Sequence, residues 1–109
     1  MANYYKSIGL LRRKGDFKQE QFVEYWTTVH AGMAKRLPKL RRYVINVVAD
    51  REKYPHLGAD GFSELWFDSI ADHDAAFASP LGVELLADVK NFAEGVNAVM
   101  VEEHRMLWP

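Results

Sequence analysis

His30, Glu64 and Asn46 are the side chains whose types and settings point to chemistry. An imidazole changes protonation near neutral pH and serves as either acid or base. His30 sits in a stretch where Phe22, Trp26, Val29, Met33 and Leu37 recur at steps of four, three, four and four, the spacing of one helix face. At about 100° per residue it falls inside that apolar sector, between Val23 and Leu37. Two readings stay open: a core histidine satisfied by a hydrogen bond, or a proton shuttle facing a cavity. Glu64 lies in an otherwise apolar run, Phe62 to Phe67, where a carboxylate must raise its pKa or find a partner such as His30, Asn46 or an arginine. A buried structural ion pair is the alternative. Asn46 has the donors to hold a substrate carbonyl or to satisfy a neighbouring backbone group. His30 and Glu64 are the candidate catalytic pair, with Asn46 binding the substrate.

The other polar clusters point less clearly to a site. Arg12, Arg13, Arg41 and Arg42 have the planar fork that clamps carboxylates, but solvated strand ends are the better explanation. Glu102, Glu103 and His104 lack HxxxH, HxH or HExxH spacing, so no metal site is expected. Asp72, His73 and Asp74 read as the charged first turn of a helix. The chain contains no GxGxxG, P-loop or GxSxG motif, which argues against Rossmann-type nucleotide binding, P-loop phosphate binding and the serine-hydrolase elbow.

Composition narrows the partners. A net charge of −1 with 27% charged residues provides no positive field for nucleic acid. No cysteine is present, which removes disulfides and thiolate chemistry. No stretch resembles a signal peptide or a membrane span, so no membrane partner and a cytoplasmic location are expected.

These residues must be positioned by a small set of elements. Tyr4 to Arg13 reads as a strand ending at Lys14-Gly15-Asp16, and Asp16 with Gln19 reads as a capping box opening a helix to Leu37. Pro38 stops that helix. Strands follow at Arg41 to Ala49 and Phe62 to Phe67, separated by a long polar loop. A short helix from Ser69 through Phe77, a second from Ser79-Pro80 to about Glu94, and a last strand from Val96 to Met106 complete the order. This is β-α-β-β-α-β, an α+β, ferredoxin-like plan in one domain over residues 1–109, with both helices on one face of an antiparallel sheet.

Alternation divides each strand into two faces. Ile8, Leu10, Tyr43, Ile45, Val47, Leu65, Phe67, Val99 and Val101 form an almost wholly apolar set suited to lie under the helices, where Tyr43 serves packing. The opposite, mixed set holds Ser7, Leu11, Asn46, Phe62, Glu64, Trp66 and Met100. That much apolar surface is expected to be covered by a second copy, giving a homodimer whose facing sheets form an α/β barrel around a small apolar molecule. Ser7, Leu11, Phe62, Trp66 and Met100 would then line the cavity with Asn46.

Five blocks match a family pattern. Phe22-Val23-Glu24-Tyr25-Trp26-Thr27-Thr28-Val29-His30-Ala31 resembles the "YW…VHA" helix of EthD proteins, and Leu37-Pro38-Lys39-Leu40-Arg41-Arg42-Tyr43 through Asn46 resembles their "LPGLRRY…N" segment. Asp60-Gly61-Phe62-Ser63-Glu64-Leu65-Trp66-Phe67 is similar to the "DG.aELWF" strand, Ala78-Ser79-Pro80 to the "ASP" helix start, and Val101-Glu102-Glu103-His104 to the closing "VEEH". Lys39 stands where the family more often has glycine. The resemblance implies a dimeric α/β barrel and cofactor-free chemistry or binding on small, mostly apolar molecules. The namesake accompanies an ether-degrading cytochrome P450 system, and related members include methylmuconolactone isomerase and dehydratases of aromatic polyketide pathways. The expected function is a cofactor-independent lyase or isomerase acting on a lactone, aromatic or polyketide-like molecule. The alternatives are an accessory binding protein of a monooxygenase system, and a cofactor-free monooxygenase or haem-handling enzyme with His30 or His104 as axial ligand.

Overall fold

The apolar and β-branched run after Tyr5 forms β1 (Tyr5–Arg13), and residues 14–16 turn the chain toward the first helix. The computed structural model describes residues 5–109, so Tyr4, expected to open this strand, lies outside the described residues. Asp16 is taken up by the turn, and the helix cap forms two residues later than the sequence predicts. The Lys18 backbone N–H donates to the Gln21 side chain at 2.7 Å.

The first helix is not uniform. It runs as α1 (Gln19–Tyr25), a π-helical turn (Trp26–His30) and α2 (Ala31–Ala34). Thr27 and Thr28 donate their hydroxyls to the carbonyls of Val23 and Glu24, which competes with the regular ladder where it widens. The wider turn keeps a step of four on one face, so Phe22, Trp26 and His30 are all buried. Val29, expected in the core stripe, is 49% exposed for the same reason.

The remaining elements are β2 (Arg42–Val47), a 3₁₀ turn (Arg51–Lys53), β3 (Gly61–Phe67), α3 (Ile70–Ala78), α4 (Pro80–Asp88), a second 3₁₀ turn (Val89–Asn91) and β4 (Ala93–Glu102). Ser69 and Ser79 cap α3 and α4 by accepting from the N–H groups of Asp72 and Gly82. The last strand starts three residues earlier than expected. Lys14 N–H holds the Phe92 carbonyl at 3.0 Å and brings Ala93 into pairing with Arg13. No helix among the described residues is long and apolar enough to cross a membrane.

The sheet order is β2-β3-β1-β4, antiparallel throughout, with the helices on one face: a ferredoxin-like fold. Cross-strand register fixes which residues share a face. Tyr43, Leu65, Ser7 and Met100 form one row, and Ile45, Ser63, Gly9 and Ala98 the next, both under the helices. Two core clusters sit on that side, one around Leu11, Phe22, Trp26 and Phe92, the other around Leu37, Leu65, Phe67 and Leu85.

This corrects the expected facing of β1 and β4. Ile8, Leu10, Val99 and Val101 lie on the open face, while Ser7, Gly9, Leu11 and Met100 lie under the helices. Both strands carry apolar residues on both parities, so alternation alone favoured the bulkier set. The helices instead bring their own bulk, Phe22 and Trp26, down onto small residues. Gly61 shows how close this is: a methyl group there would collide with the Trp26 ring and lie 2.6 Å from the Asn46 carbonyl.

Candidate active site

The π-helical turn brings His30 to the end of α4. Its Nδ1 lies 2.9 Å from Asp88 Oδ2, and both residues are buried. The other carboxylate oxygen, Oδ1, accepts from the Tyr25 hydroxyl at 2.6 Å and from Asn91 Nδ2 at 2.9 Å. Phe92 packs its ring against the imidazole, with centroids 4.8 Å apart. Asp88 is thus fully engaged, and each donor comes from a different turn of the same small cluster.

Burial pushes the His30 pKa below its ordinary value of 6.5, outweighing the opposite pull of the Asp88 carboxylate, so the ring is neutral at pH 7. Burial also works to raise Asp88, but the hydrogen bonds from Tyr25, His30 and Asn91 together hold it below the usual carboxylate range. Tyr25 is raised, chiefly because its hydroxyl donates to Asp88. An ionised carboxylate only accepts, so the neutral imidazole must carry its proton on Nδ1. Nε2 is left with a free lone pair and has no partner among the described residues. No buried side-chain nitrogen or oxygen among them is both sealed off and unpartnered, so Nε2 is open to the space beside it.

That space is a cavity of about 60 Å³ between the helices and the sheet. Its walls are mostly apolar, including Leu11, Trp26, Leu65, Leu85 and Val89, with Ser7, Ser63, Tyr43 and His30 as the polar groups. No Lys, Arg, Asp or Glu among the described residues lines it. Burial pushes the Tyr43 phenol up to about 12, against a smaller pull from the Trp26 indole, which keeps it a neutral donor. Leu86 and Ala98 are the exposed lining residues, so the mouth lies between α4 and β4.

The sequence-predicted residues divide between the two faces of the sheet. His30, Ser7 and Leu11 meet in this cavity. Glu64, Asn46, Phe62 and Trp66 lie on the opposite, open face, so Glu64 is not the partner of His30. Glu64 instead bonds Lys6 Nζ and Asn46 Nδ2, each at 2.8 Å, and burial, which would raise it, is outweighed by these contacts so that its pKa is lowered. The sheet stands between it and the imidazole. Trp66 donates its indole N–H to Glu103 and stacks beneath Lys6 and Arg42. Met100 faces the helices opposite Ser7 but does not line the cavity. Arg12 reaches Glu94 and the Gly58 carbonyl, Arg13 the Phe17 carbonyl, and Arg41 Asp68. Arg42 stacks on the rings of Trp66 and Trp108. No three His, Asp or Glu side chains among the described residues gather as metal ligands.

Sequence reasoning missed Asp88, Tyr25, Asn91 and Ser63 and left Tyr43 to packing. Asp88 had a signal: it follows Leu85 by three and precedes Val89, so an acid lies on the buried stripe of α4.

Residues 14–95 match the model of the EthD domain. The chain belongs to the EthD family. An uncharacterised 11.0 kDa protein in the thcB-thcC intergenic region of Rhodococcus erythropolis is 31% identical over 87 residues, covering 79% of this chain and 84% of that protein. An EthD family protein from Bacillus halodurans shares the fold at a TM-score of 0.76 and 19% identity, covering 93% of this chain and 99% of that one. A hydroxynitrile lyase from Passiflora edulis does so at 0.76 and 15%, with both chains fully covered. A ferredoxin-like protein of unknown function from Thermobifida fusca, described as dimeric, does so at 0.72 and 16%, covering 94% and 93%. The blocks that resemble EthD proteins in sequence thus sit on a fold shared with the Bacillus halodurans EthD family protein.

Proposed function

We propose that this EthD chain is a cofactor-independent lyase or isomerase, with His30 as the proton shuttle and Asp88 as its positioning partner. The supporting observation is the unpartnered Nε2 of a histidine that is held in one tautomer by Asp88 and lines an apolar cavity. In a lyase step, Nε2 takes the proton of a substrate hydroxyl as the adjacent bond to carbon breaks. The oxygen's electron pair becomes the second bond of a carbonyl, and the electron pair of the broken bond leaves with the departing carbon. The imidazolium, stabilised by Asp88, then protonates that leaving group, so the reaction closes without an external acid or oxidant. In an isomerase step the proton leaves one atom and returns to another. The lyase name of the Passiflora relative supports the first form.

The test is turnover of a panel of lactones, hydroxylated aromatics and hydroxynitriles as a function of pH. Because the neutral ring is the base and burial depresses its pKa, kcat/KM is expected to fall only on an acid limb below pH 6.5 and to be level above it. A limb rising through or above 6.5 would assign the base to another group. Tight binding of an apolar ligand without turnover of any compound would favour the binding-protein reading instead.

The open face supports a homodimer. Ile8, Leu10, Phe62 and Val101 share it with Val44 and Val99, which are 38% and 52% exposed. Covering such surface contributes about 25 cal/mol per Å², and the Thermobifida fusca relative is described as dimeric. Sedimentation equilibrium at micromolar concentration should give a dimer, and Val44→Glu should shift it to monomer. A wild-type monomer would refute the pairing.

A further inference from the structure

We infer that the ligand of the His30 cavity is a small uncharged molecule whose carbonyl or hydroxyl oxygen is held by the hydroxyls of Ser7 and Ser63. Both serines are nine-tenths or more buried, at 6% and 9% exposure, and both line the cavity. Neither hydroxyl has a hydrogen-bond partner among the described residues, yet neither is sealed off, so both open into the same space as Nε2. Buried hydroxyls left unpaired are costly, and a ligand oxygen that accepts from both serines would satisfy them while leaving a ligand hydroxyl's own hydrogen free for Nε2.

The backbone register places the two serines on neighbouring strands, diagonally about Gly9, which faces Ser63 directly. A methyl group at Gly9 would lie 2.7 Å from Ser63 Oγ and 3.1 Å from Val96 Cγ2, so glycine here keeps the floor open. The imidazole comes from the helix above and the hydroxyls from the sheet below. A molecule anchored by its oxygen on the floor therefore presents its reacting hydrogen toward the ceiling.

Charge and size limit the class. A carboxylate or phosphate entering this cavity would lose its hydration and meet no Lys or Arg in return, because neither lines it among the described residues. A space of about 60 Å³ takes a few waters' worth of atoms, which suits a molecule of few heavy atoms or the polar end of one whose tail leaves by the mouth at Leu86 and Ala98.

This presupposes that the helix-side cavity is the working site, and binding and turnover tests separate the two ideas. Titration calorimetry would compare cyclopentanone, cyclopentanecarboxylate and methylcyclopentane on the wild-type protein and on the Ser7→Ala/Ser63→Ala double variant, with circular dichroism confirming the fold. The ketone is expected to bind saturably and at least tenfold more tightly than the carboxylate. The double variant should lose roughly tenfold or more of ketone affinity, since each hydrogen bond contributes about 1 kcal/mol, and keep its affinity for the hydrocarbon. Gly9→Ala should abolish ketone binding. No saturable ketone binding, equal binding of the carboxylate, or an unchanged double variant would each overturn the inference. Serine-dependent ketone binding with no turnover of any panel compound would keep the ligand class and reject the acid/base reading, whereas His30-dependent turnover indifferent to both serines would do the reverse.

Discussion

Asp88→Asn is expected to lower turnover by roughly 10²- to 10⁴-fold through a change of tautomer rather than of shape. Tyr25 and Asn91 both donate to Oδ1, so an asparagine at position 88 keeps its carbonyl oxygen there. Its amide NH₂ then occupies the place of Oδ2 and faces His30 Nδ1. Two donors cannot share that contact, so Nδ1 becomes the acceptor and the ring proton moves to Nε2. The nitrogen facing the cavity would then be a donor with no lone pair to accept a proton. The fold should survive, because three hydrogen bonds persist with one reversed. The check is kcat and KM together with a thermal melt: a fall in kcat with little change in KM or midpoint supports the account, and unchanged kcat removes Asp88 from the mechanism.

His30→Gln is the second large effect. Glutamine keeps a donor for Asp88 and similar bulk but has no titrating lone pair, so turnover should drop by roughly 10²- to 10⁴-fold while ligand binding persists. The stability of the variant should also lose part of its pH dependence. His30 is held below 6.5 in the folded state, so on acidification through 6.5 the unfolded chain takes up a proton that the folded chain refuses, and stability falls until the folded pKa is passed. Asp88 acts in the same direction at lower pH: its depressed pKa contributes stability that is present above 3.8 and lost as pH falls through the folded value. Denaturant titrations between pH 5 and 7 should therefore show a shallower slope in the variant than in wild type. Equal slopes together with full activity would return His30 to a purely structural role.

The order of elements was readable from the sequence because each boundary carries its own local chemistry: the turn at Gly15, Pro38 after the first helix, Ser69 and Ser79 as caps. The position of His30 on the buried face was also legible, although by a different periodicity from the one inferred. The π-helical turn moved Val29 out and kept Phe22, Trp26 and His30 in line, and nothing in the apolar pattern distinguishes that from a regular helix. Strand facing was legible for β2 and β3 and reversed for β1 and β4. In β1 the inward residues include Ser7 and Gly9, which are small or polar because they floor a cavity, and hydrophobicity points the other way wherever a cavity replaces a core. The reversal put Ser7 and Leu11 on the face of Glu64 and Asn46, away from the helix that carries His30. The partner it has, Asp88, lies 58 residues away in sequence, and only the packing of α4 on the first helix brings the two together.

The central claim is that Asp88 holds His30 as a neutral ring protonated on Nδ1 with Nε2 free. Nitrogen-15 NMR of the histidine side chains at pH 7 reads this directly and needs no substrate. One of the four imidazoles should show a protonated Nδ1 and an unprotonated Nε2, and that signal should be absent from His30→Gln and switch tautomer in Asp88→Asn. A His30 ring protonated on Nε2 alone, or on both nitrogens at pH 7, would contradict it.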